Sequence, residues 1–407
     1  MPKRSIKLGS DTIILALLFL MVMEFVNRPY YVIIAAMLVF FLYRGQSVLV
    51  HRSMLPMALL TASLLIFSPE SKQGITGVIK PFCYLFCTLI GYNLMNDADA
   101  ESREKKFTKL IFLIALGQFA HFVLNYLYNL DVSGERNMID IWSKSAKSAT
   151  GQASLAIMMV GAGVPVLFTK TQRWKKWTMA LSLVVIMSYN FQLAGRTLFV
   201  MMAIALAVCL LFKLLTKNTM RRKIQMLVVL GVIVGVIAVL IANNTFGLQD
   251  KIVGSNFFNR FFGKKAYQDI GEDRRMEAKL QYLKMFWDHP FGGFHIQETL
   301  GIFAHDILLD THDEAGVFAF VAVLWFLIVL IARSVQLLRN RQTSADTKII
   351  FLSFVMVMLV EFMIEPILVG MQAQFMGFCV VYGALCKFTD NISVLPEGEN
   401  GNADRAD

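Results

Sequence analysis

Apolar runs and short polar breaks alternate along almost the whole chain. The apolar runs fall at residues 11–27, 29–44, 54–68, 76–95, 108–128, 151–169, 177–194, 197–215, 225–243, 315–336, 348–364 and 367–386. These are about twelve stretches that are long enough, or nearly so, to cross a bilayer by the ~20-residue rule. The pattern predicts an all-α polytopic membrane protein. The first run is long, no small-residue cleavage site follows it, and apolar sequence resumes at once, so it reads as a span and not as a removed leader. No Gly/Ser- or Pro-rich linker and no repeat divides the chain, which predicts one membrane domain over residues 1–407.

Two polar stretches are too long to be simple connections. One covers residues 129–150. The other covers 243–314, and within it Glu272–Trp287 reads EDRRMEAKLQYLKMFW. Met276, Leu280, Leu283 and Phe286/Trp287 recur at helical spacing, with Arg274, Lys279 and Lys284 among them. The spacing predicts an amphipathic helix at the membrane interface or on the tops of the spans. Pro290 stops it, because proline cannot continue a helix and disfavours helix in the residue before. Gly292 and Gly293 then predict a turn or a close backbone approach. Ala304–Glu314 is expected to begin the next helix before it enters the membrane.

Composition agrees with the pattern. The chain has 407 residues, 56% of them hydrophobic and only 17% charged, with a mean hydropathy of +0.57, which excludes an ordinary soluble domain. Charge then gives an orientation. With the N-terminus inside, the cytoplasmic segments hold about 24 Lys and Arg and the opposite loops about 15, half of them in one long loop that counts little for topology. Both termini are therefore expected in the cytoplasm, and the loops 129–150 and 243–314 outside. The net charge of +10 is spread over many loops, which argues against nucleic acid as a partner. The five cysteines all fall in apolar runs, so no disulfide framework is expected.

Candidate chemistry concentrates in the outer segments. Four of the six histidines, His289, His295, His305 and His312, lie in or beside the sequence HPFGGFHIQETLGIFAHDILLDTHDEAGVFA. Titratable groups at the mouth of an apolar span are a functional-site hypothesis by default. His305 reads either as a general base or orienter, with Asp306, Asp310 or Glu314 as partners, or as a packing residue. His312, seven residues on, would share a helix face with it. A metal built from His305, Asp306, Asp310, His312 and Asp313 is conceivable, but the spacing lacks the i, i+4 pair of a zinc site, and no metal or other cofactor is expected. Arg196, in GRTLF between two spans, reads as a snorkelling anchor or as an anion ligand. Arg274 and Arg275 read as a solvated face or as phosphate ligands at a helix N-terminus. Arg260, Lys264 and Lys265 are weaker candidates of the same kind. Glu361 and Glu365 share a face at i, i+4 near the outer end of a span and call for a cationic partner or a proton path. Glu24 and Lys80 read as interfacial residues. No Walker A loop, HExxH or GxSxG occurs.

The order Arg275, helix, PFGG, His305-Asp306, nine residues and Gly316 resembles the O-antigen ligase and polymerase superfamily. That signature has histidine, usually asparagine, nine residues, glycine, two residues and glycine. Asp306 stands here for the asparagine and Ala319 for the second glycine. Arg196 at the start of a middle span and two large outer loops also fit. The resemblance implies a GT-C-like membrane glycosyltransferase that needs no metal and works with inversion on the outer face of the plasma membrane. It would take a glycan from a polyprenyl-diphosphate carrier and join it to the hydroxyl of an acceptor glycan or glycolipid. His305 would be catalytic. Arg196, Arg275 and Arg274 would hold the diphosphate, with Asp306, Glu314, His312 and Glu361 in support. Polymerisation of carrier-linked repeats is the favoured reaction, because both outer loops are polar enough to hold two glycans. Ligation to lipid A-core is the alternative, a peptide-chain acceptor a smaller third, and a polysaccharide or lipid transporter the rival class. A transporter predicts inverted repeats, which the chain does not show.

Overall fold

The computed structural model describes residues 10–44, 48–96, 100–130, 137–193, 195–216 and 274–393. The expected run 225–243 and the basic residues Arg260, Lys264 and Lys265 lie outside these, as does the side chain of Arg274. The described residues are almost entirely helical: α1 (Ser10–Val22), α2 (Pro29–Arg44), α3 (Leu55–Phe67), α4 (Ile75–Leu94), α5 (Ala100–Tyr128), a hairpin of β1 (Asn137–Ile139) and β2 (Ala146–Ser148), α6 (Ala149–Val166), α7 (Arg173–Gln192), α8 (Thr197–Leu215), α9 (Arg274–Met285), α10 (His295–Leu300), α11 (Ile307–Arg339), α12 (Ala345–Ile364), α13 (Ile367–Gly370) and α14 (Gln372–Ser393).

A chain in hydrocarbon has no water to bond its backbone, so apolar runs form helices. Among the described residues, six helices are long and apolar enough to cross a membrane, within α4, α5, α6, α8, α11 and α12. The protein is an α-helical membrane protein. The first and third apolar runs give shorter helices than their lengths suggested, while the second gives α2 over its full expected length. α1 and α3 have 13 residues each, a rise of about 20 Å against a hydrocarbon core of roughly 30 Å. The run at 11–27 stops being α-helical at Val22, because Glu24, Val26 and Asn27 take left-handed backbone.

The chain folds as two compact units. The first comprises the described residues of Met1–Gly117, Tyr282–Lys348 and Pro366–Asp407; the second those of Gln118–Gln281 and Ile349–Glu365. In the first unit α4 lies along α14, and glycine sets their distance. A Cβ on Gly91 would strike the Val380 carbonyl, and one on Gly383 the Thr88 carbonyl. Small residues of this kind let backbones approach where no hydrophobic effect drives helices together. α3 packs on α11 in the same unit. In the second unit α6, written ATGQASLAIMMVGAGVPV, packs against α7 and α8 and is buried on nearly all sides. A Cβ on its Gly161 would come 3.0 Å from Phe354 Cα of α12.

Among the described residues of the polar stretch 129–150 is a short hairpin. β1 and β2 pair antiparallel, with Asn137 opposite Ser148 and Ile139 opposite Ala146. The amphipathic helix expected over 272–287 is α9.

Candidate functional site

In the first unit the site is built around a break in α11. Ala315 and Gly316 have non-helical backbone there (φ −140° and +77°), so the carbonyls before the break lose their i+4 donors. The PFGG turn replaces them. Phe294 N donates to Asp313 O (2.7 Å), Gly293 N to Glu314 O (3.2 Å), and Val317 N donates back to Pro290 O (2.9 Å). Buried backbone groups must be paired, and this exchange pairs them. It needs contact of bare backbone. A Cβ on Gly292 would lie 2.6 Å from the amide nitrogens of Ala315 and Gly316, and one on Gly316 would lie 2.6 Å from Phe291 Cα. The glycines of the turn and of the signature thus serve one contact. Ala319, where the signature has its second glycine, is small and fully buried.

His305 stands just before α11, not on it. The helix begins at Ile307 with Asp306 as its N-cap, and Asp306 Oδ1 accepts from Leu308 N at 3.1 Å. Asparagine caps equally well, so the departure from the signature at this position keeps the cap. Because His305 precedes the helix, the shared helix face expected for His305 and His312 does not form. His305 is half-buried and left-handed, with φ of +55°. A buried carboxylate holds it so. Asp310 Oδ1 accepts from Ala304 N (2.8 Å) and Asp310 Oδ2 from Asp306 N (3.0 Å), one bond on each side of the histidine. Left-handed backbone at a non-glycine residue costs roughly 1–3 kcal/mol and persists only where its surroundings fix it.

Asp313 makes a second clamp. It accepts from Ile296 N (2.9 Å) and Gln297 N (3.0 Å) at the start of α10. Tyr282 Oη lies 3.0 Å from Ile302 O and 3.3 Å from Asp313 Oδ2, so its one proton serves either acceptor in turn. Burial, and then the Asp313 charge, push the Tyr282 phenol far above its ordinary range and keep it a donor. Both oxygens of Asp310 and both of Asp313 thus accept from backbone N–H groups. Tyr282, Ile296, Ala304 and Leu309 form a small core beneath them.

His312 packs. Its ring stacks on Phe286 at 3.7 Å, the residue is 1% exposed, and its Nε2 is buried without a hydrogen-bond partner among the described residues. Glu314, beside the helix break, accepts from Ser68 Oγ at 2.9 Å and lies 3.9 Å from Lys80 Nζ. Lys80 also pairs with Glu70 at 2.5 Å. The interfacial reading of Lys80 is therefore corrected: it is 4% exposed, inside the unit and ion-paired. Its only signal in the sequence was a charge one residue before Pro81 in an apolar run.

In the second unit Arg275 and Lys279 of α9 close the C-terminal end of α12. Arg275 Nη1 donates to Ile364 O (3.0 Å) and to Glu365 Oε1 (3.3 Å), and Lys279 Nζ donates to Met363 O (2.5 Å). Cations at a helix C-terminus meet its free carbonyls and the negative end of its dipole. Glu361, fully buried one turn earlier, accepts from Ser154 Oγ at 2.6 Å. The cationic partner expected for the Glu361/Glu365 pair is thus found at Glu365. Arg196 is half-buried at the N-terminal boundary of α8. His305 belongs to the first unit, Arg196 and Arg275 to the second.

The second unit also holds a polar network that sequence reasoning missed. Asp140, in the hairpin connection, receives His121 Nε2 at 2.8 Å, Lys147 Nζ at 3.0 Å and Asn125 Nδ2 at 3.2 Å on one oxygen. Trp142 N and Ser143 N donate to the other. Burial raises the Asp140 carboxyl, but the His121 bond, the Lys147 charge and the Ser143 amide outweigh it and hold the group well below the usual carboxylate range. His121 and Asp140 are 19 residues apart, and nothing in their spacing marks them as a pair.

No protein-family model matches the chain, and no curated protein matches it at a significant level, so the reading of this site rests on its own residues and on the resemblance they carry.

Proposed function

We propose that this protein is a metal-independent inverting glycosyltransferase, a polymerase of surface-polysaccharide repeats fed by a polyprenyl-diphosphate-linked oligosaccharide. The observation that carries the reading is the Asp310 clamp around left-handed His305. A half-buried histidine fixed in a sparsely populated conformation, at cost, is the kind of preorganised group that catalysis uses. In the reaction His305 takes the proton of the acceptor hydroxyl. The freed oxygen attacks the anomeric carbon, the bond from that carbon to the diphosphate breaks, and the carrier diphosphate leaves with the electron pair. Arg275 and Arg196, with Arg274, would neutralise the charge that grows on it, as guanidinium forks suit phosphate oxygens. Glu365, at 3.3 Å from Arg275, is the anion that such a phosphate would have to share or displace. The reading includes the finer topology: about twelve spans of GT-C-like type in the plasma membrane, both termini cytoplasmic, and the site outside.

Transfer from polyprenyl-diphosphate glycan in proteoliposomes tests this. His305→Ala should insert normally and lose about 100- to 10,000-fold in rate. Wild-type transfer should continue in chelator. A reaction that stops in chelator and returns with added divalent cation would defeat the mechanism. Offering carrier-linked repeat and lipid A-core as rival acceptors separates polymerase from ligase, and exclusive use of lipid A-core would make the protein a ligase.

A further inference from the structure

We infer that a cavity in the first unit is a binding site for the head of an anionic phospholipid, distinct in purpose from the transfer site. The cavity holds about 320 Å³ and is lined by α1, the end of α4 and the start of α5. That is the lower end of the range of small-molecule sites, roughly 300–1,000 Å³. It has room for a head group but not for a whole lipid.

Its depth is set by the helices around it. α1 begins at Ser10, α4 ends at Leu94, and the apolar run of α5 begins at Leu110, just after Lys109. Three apolar helices start or stop at the cavity, which puts it at the edge of the hydrocarbon. Its polar lining is Asp11, Lys105, Lys106 and Lys109, and its apolar lining includes Leu15, Leu94 and Leu110. Leu15 lies four residues beyond Asp11, and Leu110 four beyond Lys106. One helical turn carries each about 6 Å further along its axis. Charge therefore stands at the rim and hydrocarbon below it, the same order as head and acyl chain in a leaflet.

The charges choose the lipid. The lining holds three lysines and one carboxylate, and Asp11 holds Lys106 at 2.8 Å. A phosphodiester with no ammonium complements this balance. A choline head would bring a further positive charge against the lysines. Free phosphate would satisfy the rim and leave the apolar floor unfilled. Basic pockets between spans bind anionic lipid heads on this principle.

Native mass spectrometry of the full chain in detergent, titrated with phosphatidylglycerol, phosphatidylcholine or inorganic phosphate, tests the site. Wild type should retain phosphatidylglycerol over phosphatidylcholine. Lys105→Gln, Lys106→Gln and Lys109→Gln should weaken its binding roughly fivefold each. Leu15→Trp keeps every charge but fills the cavity, and should weaken it as well. Equal retention of the two lipids overturns the inference. So does a Leu15→Trp variant that binds like wild type, or displacement of the lipid by an equal concentration of inorganic phosphate. If Lys106→Gln does not fold, Lys109→Gln, at an exposed position, and Leu15→Trp carry the comparison.

Discussion

His305 holds a costly backbone conformation. Its φ of +55° is held by bonds from the amides of Ala304 and Asp306 to the single side chain of Asp310. Asparagine at 310 has one acceptor oxygen in place of two, and its amide nitrogen would face an N–H. Asp310→Asn is therefore expected to leave one buried amide unpaired and to destabilise the protein by about 1–3 kcal/mol. The histidine would then be free to relax. Thermal unfolding in detergent should show the loss, and transfer should fall more than the folded fraction does. A variant that keeps full transfer and full stability would remove the clamp from the mechanism. His312 behaves differently, because its ring is stacked on Phe286 and buried. The sequence showed both histidines, but helical periodicity could not tell which one precedes the helix.

Among the elements, the β1–β2 hairpin depends most on charge. Asp140 ties it to α5 through His121 and Asn125, and to its own connection through the amides of Trp142 and Ser143. The carboxyl is held below its unfolded value of about 3.9. A depressed acid stabilises the fold fully above that value, and the stabilisation is lost as pH falls below it. Wild type is thus expected to start losing stability as pH falls through about 4 and to go on losing it at pH 3 and lower, and Asp140→Asn to show a flatter profile there. At neutral pH the variant should already be about 1.5–3 kcal/mol less stable, as for a lost hydrogen bond to a charged group. Unfolding followed in detergent from pH 3 to pH 7 measures both; parallel profiles would refute the role of Asp140. The PFGG turn was legible in the sequence, but the break in α11 at Ala315 and Gly316 was not, since the run there was expected to continue as helix into the membrane. That the turn and the break satisfy each other's backbone was not legible either, because the partners are some 25 residues apart in sequence and the pairing exists only when they meet.

For the whole molecule the orientation in the membrane is the open physical variable that charge decides. The positive-inside bias predicts that residue 264 faces the exterior. A membrane-impermeant thiol reagent should label Lys264→Cys on intact cells, in a background where the five buried native cysteines are silent. Labelling only after lysis would reverse the topology and the outer placement of the site with it. Sequence by itself determined that this is a helical membrane protein, because apolar runs in hydrocarbon have no other way to pair their backbone. It also determined that the polar, histidine-bearing segment after Arg275 departs from that logic. Tertiary structure decided what each charge touches: that Asp310 serves the backbone around His305, that Arg275 meets Glu365, and that Lys80 is buried between Glu70 and Glu314. The reason is one of range. Hydrophobic periodicity is a local property, written every few residues, whereas a buried charge takes its partner from wherever packing brings one within about 3 Å.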